Sequence, residues 1–182
     1  MSSYYFFAKS SHPCSNFFPV GSYRVSVKAS SGVLRSFDIS NSETHFMMLK
    51  AAAFGDFPSL DAIAEAKTPK EARALGRQVK NYDERVWSGE VDENGLTLAE
   101  RCMDVALQRK LEVCIPYLDI IRAHAGKGTK FVETSHWDAK WGTGMTEEKT
   151  RRTSPEQWGS NLLGKAHDRV AARYAATSRQ SD

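Results

Sequence analysis

Two kinds of apolar spacing alternate along this chain, and they mark out its elements. Tyr4-Tyr5-Phe6-Phe7 is a short continuous apolar run of the kind a buried strand shows, within a first-strand segment from Met1 to Phe7. Tyr23-Arg24-Val25-Ser26-Val27 alternates with period two, as a half-exposed strand does, and after a turn at Ser31-Gly32 the segment Val33 to Ile39 reads as its returning partner. From Glu43 the spacing changes to helical, with Phe46, Met47, Leu49, Ala53 and Phe54 in phase; Asn41-Ser42 supplies an N-cap, and Gly55-Asp56 a stop. Ser59 to Ile63 opens a second short helix. Thr68-Pro69-Lys70-Glu71 opens a third with a capping box and a first-turn proline, and Gly76 ends it.

The strongest helical pattern runs from Leu96 to Val113, with Leu98, Cys102, Val105, Ala106 and Leu111 or Val113 along one stripe. Asn81 to Trp87 reads as a helical turn or two before it, and Tyr117 to Ala125 as a further helix after it. Gly126-Lys127-Gly128 turns the chain into a strand at Thr129 to Glu133; Ser135 to Gly144 is irregular, and Thr146 to Pro155 is a polar connection. A last helix spans Asn161 to Ala176, followed by a frayed tail over 177–182. The expected architecture is α+β: a mainly α-helical single domain over residues 1–176 with a small β-sheet and no internal repeat.

Composition narrows the class. At 182 residues the chain can bury roughly two thirds of its unfolded surface, enough for a core without staples. No apolar stretch approaches the ~20 residues of a membrane span, and the N-terminus lacks a signal-peptide pattern, so no membrane association is expected. Three cysteines, Cys14, Cys102 and Cys114, at irregular spacing argue against a disulfide framework and for a reducing compartment, cytoplasmic or nuclear. No CxxC pair or His-rich tract proposes a metal. The net charge of +3 is mild; its clusters, among them Lys149, Arg151 and Arg152, fit a solvated face or weak contacts to phosphate-rich ligands.

Three segments set polar groups beside aromatics, as ligand pockets do: Ser15-Asn16-Phe17, the helix start at Glu43, and His136 to Gly144. Each has a plainer reading. Glu43 also suits a helix dipole, Asp138 a loop residue bonding its own backbone, and His45 a structural role rather than acid–base work. Trp137 and Trp141 could stack a base or plug an irregular loop. Gly142-Thr143-Gly144 permits a tight turn or close approach to a phosphate. Walker A, GxGxxG, GxSxG and HExxH patterns are absent.

In order and wording these segments resemble the NADAR family, from about Phe6 to Tyr174. Ser15-Asn16-Phe17 resembles its SNF loop, and Ser42 to Ala51 its S-x-E-H-x-M-M-x-x-K-A helix start, followed by Phe54-Gly55-Asp56. Ala74 to Lys80 with Trp87 resembles the central block. Val132-Glu133, Asp138, Trp141-Gly142-x-Gly144 and Gly159-x-Asn161-Leu162-Leu163-Gly164 resemble the closing blocks. Thr44 stands where the family has its histidine, with His45 one place later, and Ser88 to Thr97 reads as an insertion.

The resemblance implies an N-glycosidase that hydrolyses a ribose C1′–N bond through an oxocarbenium-like state. It implies Glu43 and Asp138 as the catalytic carboxylates, with no metal and no cofactor. Trp87 and Trp141 would wall the ribose or stack the base, and Arg77 and Lys80 would meet phosphates. Ser15, Asn16, Phe17, Lys50, Gly142, Gly144, Asn161 and Gly164 complete the implied substrate-binding set. The implied partner is an ADP-ribosylated nucleic acid or a phosphoribosylated small molecule of the riboflavin pathway. The Phe54-Gly55-Asp56 and Ala74-Leu75-Gly76-Arg77 wording resembles the ADP-ribose branch, and the chain lacks a fused deaminase or reductase domain. The expected substrate is therefore ADP-ribosylated guanine in DNA. A non-catalytic module that binds ADP-ribose or NAD is the alternative of another class.

Overall fold

Asn41 starts the helix on which half of the chain is organised. In the computed structural model, which describes residues 3–28, 32 and 34–179, its side chain accepts from the Thr44 N–H at 2.9 Å and caps α1 (Ser42–Ala53). All seven residues from Ser42 to Met48 are buried. At 100° per residue, Glu43, Met47 and Lys50 share one face of α1, while His45 points the other way.

The described residues fall into two compact units, one drawn from residues 1–15 and 114–182, the other from 16–113. In the second unit, β2 (Tyr23–Lys28) and β3 (Leu34–Ile39) form an antiparallel pair with Tyr23 opposite Ile39. Tyr23, Val25 and Val27 are buried, as the alternation requires. Helix α1 packs on β2 and against α2 (Phe57–Ala64), α3 (Pro69–Gly76) and α4 (Leu98–Val113).

Several boundaries differ from the sequence reading for local reasons. Asp56, expected only to stop α1, caps α2 through the Ser59 N–H, so α2 begins two residues early at Phe57. Helix α3 starts as expected: Thr68 Oγ1 accepts from Glu71 N–H, and Glu71 reaches back to the N–H of Lys67. The turn expected at Asn81 to Trp87 is a single π-helical turn, Arg85–Gly89. Within the segment read as an insertion, Val91 bridges Thr97, and Asp92 Oδ1 takes the N–H groups of Asn94 and Leu96. Helix α4 then begins at Leu98, where Thr97 and Glu100 form a reciprocal capping box. Its buried stripe is Ala99, Cys102, Met103, Ala106, Leu107, Lys110 and Leu111. Val105, expected on that stripe, is 51% exposed. The stripe follows 102-103-106-107-110, and Val105 falls off it.

In the first unit, β1 (Tyr4–Phe7) pairs in parallel with β4 (Lys130–Glu133), Tyr4 opposite Lys130. The small sheet of the sequence reading is thus two separate pairs, one in each unit. Helix α7 (Leu162–Ser178) packs on β4 and against α5 (Ile115–His124). The polar connection over 146–155 contains a short helix, α6 (Glu147–Arg152), capped by Thr146 and carrying two i,i+4 ion pairs, Glu147–Arg151 and Glu148–Arg152. Helix α7 runs two residues past its expected end, the hydroxyls of Thr177 and Ser178 bonding back to the carbonyl of Tyr174. The expected turn residue Ser31, the strand start Val33 and the tail beyond Arg179 lie outside the described residues. His167 is the hub of this unit's core: its Nδ1 meets Tyr117 Oη at 2.7 Å, and its Nε2 meets the Cys14 carbonyl at 3.0 Å. A carbonyl only accepts, so Nε2 carries the proton and Nδ1 accepts from the phenol. All three cysteines are buried, and among the described residues none forms a disulfide. Among the described residues no helix is long and apolar enough to cross a membrane.

Two stability predictions follow from close packing and from a buried imidazole. A Cβ on Gly164 would lie 2.2 Å from the Phe131 carbonyl oxygen, whereas one on Gly128 meets open space at φ +68°. Gly164→Ala is expected to cost about 3 kcal/mol, against about 1 kcal/mol for Gly128→Ala, in urea unfolding; equal losses would contradict the packing. Burial, aided by nearby Arg109, pushes the His45 pKa down to about 4, below the ~6.5 of an unfolded chain. The neutral folded state therefore contributes stability above pH 6.5, which is lost as pH falls toward 4, by about 3 kcal/mol. His45→Gln should lose less stability than the wild type between pH 7 and 4.5; parallel losses would assign the effect to other groups.

Candidate functional site

Glu43 carries a charge into the interior of the second unit. It is the second residue of α1, where the helix N-terminus favours an anion, and its N–H donates to the Asn16 carbonyl at 3.1 Å. That bond ties the Ser15-Asn16-Phe17 loop to the helix start. The Glu43 side chain is 2% exposed, and both its oxygens are engaged: Arg73 Nε donates to Oε1 at 2.7 Å and Nη2 to Oε2 at 3.2 Å. The Arg73 side chain is 42% exposed, and its guanidinium lies over the Phe17 ring, 4.5 Å from the centroid. The carboxylate is thereby held in a fixed orientation by a two-pronged fork.

Arg73 was not among the residues selected from the sequence. Its signal was present in the spacing of α3: Pro69, Ala72, Arg73 and Gly76 share one face, and Ala72 and Gly76 are buried. The small residues let α3 approach α1, and the long cation between them reaches the acid. A Cβ on Gly76 would meet Met47 Sδ at 2.2 Å. One turn along α1, Lys50 Nζ donates to the Gly76 carbonyl at 2.9 Å and stands 3.9 Å from the Tyr82 ring centroid. Lys50 thus closes the α1–α3 seam. Trp87 is buried beside Phe46 and Phe54, at ring separations of 5.6 and 6.1 Å.

Arg77 and Lys80 stand differently from Arg73. Both are exposed. Arg77 follows the last turn of α3, and Lys80 is fixed through its backbone N–H, which donates to Asp56 Oδ2 at 2.7 Å. That bond and those from Ser59 hold the Asp56 carboxyl below its ordinary range. Around the start of α1, Asn16 Oδ1, Ser42 Oγ and His45 Nδ1 are buried polar atoms with no hydrogen-bond partner among the described residues. The Asn16 amide donates its other end to Met103 Sδ at 3.3 Å. His45, on the far side of α1 from Glu43, is neutral near pH 7. Burial likewise pushes the Cys102 thiol up to about 12, so no thiolate nucleophile arises there.

The remaining candidates lie in the first unit. Ser15 is half-buried, its N–H donating to the His12 carbonyl. Asp138 Oδ1 accepts from the N–H groups of Lys140 at 3.0 Å and Trp141 at 2.7 Å, and its carbonyl accepts from Gly142 and Gly144. The side chain organises its own loop, and among the described residues Oδ2 accepts nothing. Residues 159–163 then run beside this loop: Gly159 donates to Thr143, Ser160 to Ala139, Asn161 to Gly142, Leu162 to Lys140 and Leu163 to Trp141.

The glycines of this block are explained by those close approaches. A Cβ on Gly142 would sit 2.9 Å from the Glu133 carbonyl oxygen, and one on Gly144, at φ +69°, 2.9 Å from Ala139 Cβ. Asn161, in the left-handed region at φ 49°, donates Nδ2 to the Phe131 carbonyl and accepts from Glu133 N–H, so it finishes β4. Gly164 packs on that same carbonyl. Trp141 is half-buried and Trp137 is 87% exposed. The structure therefore brings Asn16, Phe17 and Glu43 together around Arg73 in one unit. It brings Asp138, Trp141, Gly142, Gly144, Asn161 and Gly164 together in the other. Among the described residues no group of three or more His, Cys, Asp or Glu side chains could hold a metal ion.

Protein irg-1 of Caenorhabditis elegans is 30% identical over 132 residues, which cover 71% of this chain and 58% of irg-1. N-glycosidase R617 of Acanthamoeba polyphaga mimivirus is 27% identical over 127 residues, 69% of this chain and 68% of that protein. The chain thus matches little more than half the length of irg-1. The NMR structure of the E. coli protein YbiA has the same fold, with a TM-score of 0.62 at 22% identity over 98% of this chain and 89% of that one. The NADAR domain model matches residues 5–174, nearly the whole chain, and on that match, with both carboxylate blocks inside it, the chain belongs to the NADAR family.

Proposed function

We propose that this chain is an N-glycosidase that hydrolyses a ribose C1′–N bond, and that its substrate is guanine carrying ADP-ribose in DNA. The observation that carries the reading is the buried Glu43 carboxylate, fixed on both oxygens by Arg73 beside the Phe17 ring. A carboxylate gripped on both oxygens by one guanidinium cannot easily reorient. It suits a step in which positive charge develops on a sugar ring, because the stabilising charge is already in place. The similarity to a protein named N-glycosidase supports the same bond type.

In the proposed reaction the C1′–N bond breaks toward an oxocarbenium-like state facing Glu43. Water adds its hydroxyl to C1′, and its remaining proton passes to the departing base nitrogen, so free ADP-ribose and unmodified guanine result. Asp138 is the partner in this reading, orienting the ribose or activating the water through Oδ2. Asn16 Oδ1, buried in the loop that bonds Glu43, is an acceptor for a ribose hydroxyl. Arg73 is a positioning residue, acting on the sugar only through the carboxylate.

The test is release of free ADP-ribose from a short DNA oligonucleotide ADP-ribosylated on guanine. Wild type should release it, and Glu43→Gln should be slower by at least ~10³-fold, about 4 kcal/mol of transition-state stabilisation, while still binding. Full turnover by Glu43→Gln would remove this acid from the chemistry. Release by neither protein would move the substrate to phosphoribosylamino-pyrimidines of the riboflavin pathway, and failure there would favour a binding module. Arg73→Ala should also destabilise the fold by about 2–3 kcal/mol, since it strands a buried charge, whereas Arg77→Ala should leave the melting temperature near wild type. Equal melting temperatures for Arg73→Ala and Arg77→Ala would deny the ion pair its structural weight.

A further inference from the structure

The first unit contains a cleft of about 420 Å³ that none of the candidate glycosidase residues lines. It lies where the end of α5 and the turn after it meet the last turns of α7. Arg122, Lys127 and Arg179 stand around it with Tyr174, Ser178 and Gly126, and its lining holds no acidic side chain. Arg122 pairs outward with Asp119 at 3.4 Å and donates Nε to Tyr174 Oη at 3.2 Å, which pulls the Tyr174 phenol below its ordinary value. Among the described residues, no ion pair or hydrogen bond engages the side-chain nitrogens of Lys127 or Arg179.

Cations near helix C-termini have an ordinary explanation, compensation of the helix dipole, and Arg122 in the last turn of α5 fits it. Lys127 does not, because it lies beyond the helix in the Gly126–Gly128 turn. Three positive charges around one concavity repel each other and are best satisfied by a shared anion. Two further features suit a phosphoryl group. Gly126, at φ +74°, contributes no side chain where a Cβ would come within 3.8 Å of Arg179 Nη2 and 3.9 Å of Ala175 Cβ, so the cleft stays open. The Tyr174 hydroxyl accepts from Arg122 Nε, so its own proton adds a neutral donor to the charged ones.

We propose that this cleft is a phosphoryl-binding site and that its ligand is a phosphodiester of the nucleic acid that carries the modified base. The choice of a nucleic acid as ligand rests on the function proposed above; the phosphoryl chemistry rests on the cleft alone. A site that grips backbone phosphates adds affinity without reading sequence, and its contribution falls as salt rises.

The experiment is binding of a labelled, unmodified single-stranded DNA oligonucleotide to the full chain, followed by fluorescence anisotropy over a salt series. No turnover enters the measurement, so it stands or falls separately from the glycosidase assay. Lys127→Ala/Arg179→Ala should bind about tenfold more weakly at low salt, with the slope of log K against log salt reduced by about one to two. A control at another exposed lysine, Lys28→Ala, should bind like wild type. Both cleft residues are exposed, so the double variant is expected to keep the wild-type circular dichroism and melting temperature. Inorganic phosphate is the second probe. Displacement of the oligonucleotide by millimolar phosphate would support the phosphoryl site and assign it to small phosphorylated ligands; resistance to phosphate with the double-variant loss intact would support the backbone. Absence of oligonucleotide binding by wild type, or equal binding by the double variant, would overturn the proposal.

Discussion

Burying one carboxylate governs how the second unit is put together. Taking Glu43 out of water costs several kcal/mol unless its charge is answered where it lies. Two neighbours answer it, the Arg73 fork on both oxygens and the positive end of α1, while a third, the Asn16 carbonyl, takes the residue's own N–H and fixes its backbone. Each places a demand on another segment. Helix α3 must come close enough to deliver Arg73, which calls for Ala72 and Gly76 on its inner face and for Lys50 to close the seam on the Gly76 carbonyl. The loop before β2 must present Asn16 and Phe17 at the helix start. The acid, the arginine and the aromatic ring therefore form one unit of structure, and none of the three is optional once the other two are present.

Much of this was legible from local pattern and some of it was not. The Asn41 cap, the Thr68–Glu71 capping box and the alternation of β2 are contained within a few consecutive residues, and each formed where the pattern placed it. The local spacing of α3 marks only which face of the helix packs; that Arg73 on this face meets an acid depends on a partner thirty positions away. Val105 was misplaced for the opposite reason. An apolar side chain was assigned to the core by type, but the stripe of α4 is completed by Lys110, whose long stem serves as well. Helix α6 escaped notice because its six residues carry no apolar periodicity and are held by a threonine cap and two ion pairs.

The closing block of the first unit shows how similar the marks of binding and of packing look in a sequence. Glycines at 142, 144 and 164, an asparagine at 161 and an aspartate at 138 suit a ligand-lining loop. In the structure each is also required by the chain itself: the glycines because an added Cβ would come within 3 Å of a neighbouring atom, Asn161 by the end of β4, and Asp138 by two N–H groups of its own turn. A role in binding is compatible with this, since a loop held so tightly by its own backbone can present Asp138 Oδ2 and the Trp141 ring with little freedom to lose. The same rigidity means that substituting these residues would report on folding before it reported on chemistry.

The treatment of β4 has a consequence for how the molecule behaves in a crowded solution. The strand pairs with β1 on one side only, and a two-stranded parallel sheet would ordinarily leave a row of backbone groups open to a strand from another molecule. Here that row is closed by side chains: Asp168 takes the Phe131 N–H, and Asn161 takes both the Phe131 carbonyl and the Glu133 N–H. Among the described residues the β4 edge therefore offers no open row for intermolecular pairing, two polar side chains closing there what larger sheets close with a covering helix or a closed barrel.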